Sequence, residues 1–315
     1  MTGTVFKSTG SWYTVRDEAG KDWACRIKGK LRLLNERVTN PVAVGDYVDF
    51  EPEKGESGQG VISGVHMRRN YVLRSSPRKR FQVHLLACNV DQVMLVTSIA
   101  QPMVKPGFID RFLLTTETRD IPVYLIFNKK DLYSEEDLLL CRGLRRIYEA
   151  IGYQTFLVSA ATGEGLEAVR QQLEGRTTLM SGHSGVGKSS LVNALQPGLE
   201  LRTQELSDHS GKGLHTTTFA EMHPFGASGL LIDTPGIKEL GFINLEPLDV
   251  AHNYRELFAA SPGCKFNNCL HVNEPDCAVK AAVESGQISE LRYQSYLSVL
   301  EEVQAQKHWE RKTDW

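Results

Sequence analysis

Cysteine is scarce in this chain, with 6 in 315 residues, too few for a disulfide scaffold to stand in for a hydrophobic core. Long apolar runs are missing as well. No stretch is continuous enough to span ~30 Å of hydrocarbon, so no membrane partner is expected. The opening MTGTVFKSTGSWYTV has neither the charged region nor the apolar core of a secretory signal, which predicts a cytoplasmic protein. Repeats and extended low-complexity segments are absent. So is a single-sign charge excess: 36 Lys and Arg stand against 38 Asp and Glu, a net of −2. That balance is a poor overall recommendation for a nucleic-acid binder, but it is silent about local patches. What is present is ordinary globular composition, 41% hydrophobic and 23% charged, over a length that predicts two or three domains.

The near-neutral total conceals an uneven distribution. Residues 1–80 carry 15 Lys and Arg against 9 Asp and Glu, a net of +6, while residues 81–245 and 246–315 are each at −4. The excess peaks in HMRRNYVLRSSPRKR, where Arg68, Arg69, Arg74, Arg78, Lys79 and Arg80 occur without an acidic residue. Upstream, GTVFKS, SWYTVRD, DWACRIKG, DYVDFEPE and QGVISGVHM read as short strands broken by glycine. Residues 1–75 are therefore expected to form a small β-barrel of oligonucleotide-binding (OB) type, although an SH3-like barrel fits the same pattern. With Trp12, Tyr13 and Trp23 in it, the region suits a phosphate-tracking RNA surface better than an inert basic linker.

From residue 81 strands alternate with helices, which predicts a parallel sheet covered on both faces, with functional groups at the strands' carboxyl ends. Gly182, His183, Ser184, Gly185, Val186, Gly187, Lys188 and Ser189 fit G-x-x-x-x-G-K-[ST], between the apolar TTLM and the helical SSLVNAL that Ser190 helps to open. Glycines let such a loop wrap a phosphate with N–H groups, and the helix N-terminus favours the anion. Lys188 would reach the β- and γ-phosphates, and the Ser189 hydroxyl would bind Mg²⁺. Asp233 and Gly236, in DTPG after the apolar GLLI, would hold Mg²⁺ through water and sense the γ-phosphate.

Asn128, Lys129, Lys130 and Asp131 fit N-K-x-D at the end of YLIF. A carboxylate there accepts both N–H donors on the Watson–Crick edge of guanine, whereas adenine offers the opposite pattern and leaves it unpaired. Ser159 and Ala160, after TFLV, supply a backbone contact for the guanine carbonyl. Together the four elements specify a guanine-nucleotide site, but in an unusual order. Ordinary GTPases run phosphate loop, switch, DxxG, NKxD, SA; here NKxD and SA come first. Cutting the usual chain after DxxG and joining its old ends gives this order, a circular permutation.

With a leading β-domain and a trailing Cys/His segment, this order closely resembles the RsgA (YjeQ/YloQ) family of circularly permuted ribosome-biogenesis GTPases. The resemblance covers essentially the whole chain. It implies an OB-like RNA-binding β-barrel (1–75), a permuted α/β P-loop GTPase domain (76–245) and a mostly helical zinc-knuckle domain (246–315). It further implies Mg²⁺-dependent GTP hydrolysis, GTP and GDP as ligands, and assistance in late maturation of the small (30S) ribosomal subunit through its rRNA. A monomer is expected.

In Ras-type enzymes a Gln after DxxG orients the attacking water; here Ile237 stands in that place, which predicts slow intrinsic turnover. GKGLHTTT (residues 211–218) resembles the family's switch I. His215 is the candidate for orienting water, and Thr216 or Thr217 would complete the Mg²⁺ shell. Cys264, Cys269, His271 and Cys277 offer three thiolates and one imidazole, the set of a closed structural Zn²⁺ site. Two other readings stay open: a slow GTP-gated switch acting on another RNA or translation component, and a P-loop kinase, which leaves NKxD and DTPG without purpose.

Overall fold

The computed structural model describes residues 1–29, 40–53, 57–75, 83–199, 201, 219–234, 236, 242 and 245–306. The first unit is built from β1 (Thr2–Ser8), β2 (Tyr13–Asp17), β3 (Asp22–Ile27), β4 (Tyr47–Pro52) and β5 (Gln59–Val65). Apolar residues alternate along these strands, so Val5, Tyr13, Val15, Cys25, Val48, Phe50 and Ile62 meet in one interior. The order β1-β2-β3-β5-β4 closes on itself because β1 also pairs with β4, through Thr2–Asp49, Gly3–Val48 and Thr4–Tyr47. The β3–β5 pairing is parallel and the others antiparallel. This is a closed five-stranded barrel of the OB arrangement, which decides between the two barrels the sequence allowed.

A hairpin of β6 (Tyr71–Ser75) and β7 (Val83–Cys88) leads to β8 (Gln92–Thr97), which is buried along its whole length. There follow α1 (Pro106–Glu117), β9 (Val123–Phe127), α2 (Glu135–Ala150), β10 (Thr155–Leu157) and α3 (Leu166–Leu173). The unit is completed by β11 (Thr177–Gly182), α4 (Lys188–Leu195), β12 (Glu221–Phe225) and β13 (Gly229–Asp233). Local signals account for the boundaries. Pro106 opens α1, and Ser134 caps α2 in a capping box with Asp137. The sheet order is β10-β9-β8-β11-β13-β12, parallel except for β12. The chain winds from β8 outward through β9 to β10, then returns to the other side of β8 as β11. The gap between β8 and β11 is therefore the topological switch point, where open α/β sheets bind ligands.

The third unit holds α5 (Pro247–Asn253), α6 (Arg255–Ala260), α7 (Ala278–Glu284) and α8 (Glu290–Ala305). Its core of Val250, Tyr254, Leu257, Val279, Tyr296, Val299 and Leu300 also takes in Leu114 of α1. Among the described residues, no helix is long and apolar enough to cross a membrane.

A buried ion pair fastens the barrel to the segment that leaves it after β5. Asp46 is fully buried, accepts the Ala43 N–H at 2.8 Å and forms a two-pronged pair with Arg68, at 2.7 and 2.8 Å. Asp46→Ala leaves the largely covered guanidinium without its counter-charge. It is expected to destabilise the barrel by about 3 kcal/mol, read as an earlier denaturant midpoint in the fluorescence of Trp12 and Trp23; an unchanged midpoint rejects this role.

Candidate functional site

The carboxyl ends of β9, β10, β11 and β13 lie at the same edge of the sheet, with β8 between β9 and β11, so four loops distant in sequence meet there. Asn128 joins three of them. Its Nδ2 donates to the Val186 carbonyl at 3.0 Å, and its Oδ1 accepts the Ala160 N–H at 3.1 Å. Gly187 sits at φ 87° with Asn128 Nδ2 only 2.6 Å from where a Cβ would stand, so a side chain there would break the junction. Ser159, fully buried, donates its hydroxyl to Asp131 and accepts the Thr162 N–H at 3.1 Å. The exposed Asp131 carboxylate is thereby aimed without being covered. Lys129 takes a left-handed backbone (φ 66°) and donates to the Gln101 carbonyl, while Lys130 pairs with Glu164 across the two base-side loops.

On the phosphate side, Lys188 Nζ donates to the carbonyls of Gly182 at 3.0 Å and His183 at 2.9 Å. Burial pushes its ammonium down to about 8, with Asp233 opposing. Val186 is buried, whereas Ser184, Gly185, Ser189 and Ser190 retain accessible surface around the N-terminus of α4. Asp233 is buried at the end of β13, and Thr234, missed in the sequence, anchors the turn by donating to the Met180 carbonyl at 2.9 Å. Gly236 approaches so closely that a Cβ would lie 2.8 Å from the Ser184 Cα; only glycine allows this contact between DTPG and the phosphate loop. His215, Thr216, Thr217 and Ile237 lie outside the described residues.

A second constellation sits among the C-terminal helices. The donor atoms of Cys264, Cys269, His271 and Cys277 all lie within 4.8 Å of one another, the one such Cys/His group among the described residues. Sulfur–sulfur separations are 3.9 and 3.8 Å, and two thiols stand 3.7 and 3.5 Å from His271 Nδ1. Tetrahedral Zn–S bonds of about 2.3 Å place sulfurs about 3.8 Å apart, so donor set and spacing fit zinc. Glu274 arranges the knuckle by accepting the N–H groups of Leu270, Val272 and Asn273, while Tyr293 and Tyr296 donate to the carbonyls of His271 and Leu270 at 2.6 Å. The sequence reading named these four donors but none of the three supports around them.

The G-x-x-x-x-G-K-S loop, the exposed Asp131 carboxylate of N-K-x-D and the DTPG turn share one sheet edge, with N-K-x-D and SA preceding the G-x-x-x-x-G-K-S loop in the chain, the order of a circularly permuted GTPase. The RsgA GTPase family model matches residues 65–243, and the RsgA N-terminal domain model matches residues 2–62. The small ribosomal subunit biogenesis GTPase RsgA of Bacteroides fragilis is 49% identical over 308 residues, 98% of this chain and 99% of that protein. Its namesake in Flavobacterium johnsoniae is 47% identical over 302 residues, 96% of this chain and 93% of that protein. The crystal structure of YjeQ from Thermotoga maritima superposes with a TM-score of 0.76 at 36% identity, covering 97% of this chain and 99% of that one. YloQ, described as a circularly permuted GTPase, gives 0.70 at 30% identity, covering 97% and 96%. This chain belongs to the RsgA GTPase family, and its reaction is hydrolysis of GTP.

Two outcomes follow from the geometry. Phosphate at Lys188 favours the charged amine, so GDP binding takes up a proton above the depressed value near 8. Between about pH 8 and 9, Kd should rise by up to about tenfold per unit, and calorimetry in two buffers should register the proton; a flat profile refutes it. Cys277→Ser should lower bound zinc below about one per chain and reduce the helical circular-dichroism signal. Full zinc content in the variant removes Cys277 from the ligand set.

Proposed function

We propose that this protein is a cytoplasmic, monomeric GTPase that docks on the small (30S) ribosomal subunit, contacts its rRNA and assists late maturation, with hydrolysis stimulated by the subunit. The observation that carries this reading is the near-complete coverage of relatives so named, at 49% and 47% identity. Such coverage includes barrel, GTPase unit and knuckle together. The barrel adds a physical reason: Trp12 is 41% exposed beneath the Arg26 guanidinium, 4.8 Å from its ring centre, and Lys21 lies 4.0 Å over Trp23. Aromatic faces edged by cations suit unpaired bases and phosphates.

In this reading the domains divide at 1–75, 76–245 and 246–315. Asn128, Lys129, Lys130, Asp131, Ser159 and Ala160 hold the base. Residues 182–190 hold the phosphates, with Lys188 on the β- and γ-oxygens. Ser189, Asp233 and either Thr216 or Thr217 serve Mg²⁺, Gly236 senses the γ-phosphate, and His215 positions water in place of the glutamine that Ile237 replaces. Mg²⁺ supplies neutralisation of the phosphate charge, and one zinc ion braces the knuckle.

GTP turnover with purified small subunits, large subunits or neither tests the assignment. Small subunits should raise the rate by at least about tenfold over both controls, well below the roughly 10³–10⁵-fold that an arginine-finger partner supplies. Equal rates in all three would sink the ribosomal reading while leaving the GTPase intact.

A further inference from the structure

Two loops leave the sheet at its switch point: the phosphate loop after β11, and residues 98–105 between β8 and α1. The second carries none of the guanine-nucleotide signatures, yet it is fastened to both sides of the site. Lys129 donates to its Gln101 carbonyl, and Pro102 Cδ lies 3.4 Å from where a Cβ on Gly185 would stand. Tyr133, just past N-K-x-D, ties it down again: its hydroxyl accepts the Ile99 N–H at 2.9 Å and donates to the Asn128 carbonyl at 2.6 Å. In the first turn of α1 that follows, the Phe108 ring meets the His183 ring of the phosphate loop edge-on, with centroids 5.8 Å apart and planes at 82°.

The opposite face of the same helix belongs to the C-terminal unit. Gly107 faces Ser295 of α8, whose Oγ is 4.0 Å from a Cβ built there. Asp110 and Arg292, 1% and 2% exposed, form an ion pair at 2.6 Å. Arg292 also donates to Glu256 of α6 at 2.6 and 3.1 Å, and Tyr148 of α2 donates to Asp110 at 2.8 Å. Arg111 pairs with Glu302 at 2.6 Å, Leu114 enters the C-terminal core, and Glu117 pairs with Arg255 at 2.7 Å. Positions 107, 110, 111, 114 and 117 follow the i, i+3, i+4, i+7 stripe of one helix face. Phosphate loop and C-terminal helices thus grip the same helical turn, about 5.4 Å of axis.

We propose that Phe108 is a positioning residue for the phosphate loop, and that the C-terminal helices set its position by holding α1 through Asp110 and Arg292. The knuckle-bearing unit then acts on nucleotide affinity through α1, apart from the chain that leaves DTPG. Because coupling free energies are reciprocal, nucleotide in the site must bias the docking of the C-terminal helices by the same factor. The inference needs only the GTPase, so its fate is independent of the ribosomal assignment.

The test uses the full chain, release of fluorescent methylanthraniloyl-GDP in stopped flow, and steady-state GTP turnover without ribosomes. Phe108→Ala should speed GDP release by about threefold to tenfold, the worth of one aromatic pair, with thermal midpoint and zinc content near those of the parent. Phe108→Tyr should restore slow release, which a mere loss of bulk elsewhere would not explain. Asp110→Asn should also speed release, and combined with Phe108→Ala it should add less than its separate factor, as expected of one pathway. If Asp110→Asn does not fold, Arg111→Glu, alone and with Glu302→Arg, replaces it; the reversal should speed release and the swap should restore it. Release unchanged in Phe108→Ala overturns the positioning role. A Phe108→Ala effect with no effect of the α1–α8 variants overturns the hold by the C-terminal helices.

Discussion

The structure depends on one constraint: the loops that read a guanine nucleotide must leave a single edge of one parallel sheet. A parallel sheet meets it automatically, because every strand ends on the same side and each crossover helix returns the chain to the other. Chain order then becomes irrelevant to the site. Asn128, sixty residues upstream of Lys188, still reaches the Val186 carbonyl and the Ala160 N–H. Moving the chain ends therefore leaves the chemistry in place and changes only what each end of the domain is connected to.

Those connections differ in kind. The barrel joins the GTPase unit through backbone: Cys88 donates its N–H to the Val44 carbonyl at 2.8 Å, and β1 pairs with β12 at Lys7 and Glu221. Asn89 Nδ2 adds a bond to the Gly45 carbonyl at 2.9 Å, and Lys7 on β1 pairs with Glu221 on β12 at 2.7 Å. Backbone bonds at a close approach leave little freedom for sliding. The C-terminal unit is instead held by side chains against α1, an attachment whose geometry lives in a few ionic groups.

Much of this was legible in the sequence because the signals are short-range. N-K-x-D, SA, the phosphate loop and DTPG each follow an apolar strand, and the Cys/His spacing implies its own geometry. The alternation of Val5, Tyr13, Val15 and Cys25 announced a barrel, but only the parallel β3–β5 pairing separates OB from SH3-like. That pairing joins segments more than thirty residues apart, and no local pattern encodes it. EMHPF, with a proline and a histidine, gives a weak strand signal, yet β12 pairs with β13 over five residues. Phe108, Tyr133 and Glu274 were missed for a common reason: each acts through a backbone or ring contact that carries no motif, while Thr234 stands inside DTPG but acts only by anchoring the turn to the Met180 carbonyl.

The choice of charge at the α1 seam has a physical logic. Arg292 is among the largest fully buried side chains, and with Asp110 and Glu256 it forms a buried set of two carboxylates on one guanidinium. Burial pushes the Asp110 carboxyl up and Arg292 pulls it back, the sign of a group whose charge is costly to hide. An apolar seam of equal volume would bind at least as strongly, since desolvation offsets most of the ionic attraction. Apolar contact, however, is non-directional and tolerates a shift of a fraction of a turn. A planar guanidinium bonded to carboxylates on α1 and α6 admits one register. For a helix whose next residue braces a phosphate loop, register matters more than adhesion: a seam that is either docked or broken moves Phe108 between two defined positions, where a greasy one would let it drift.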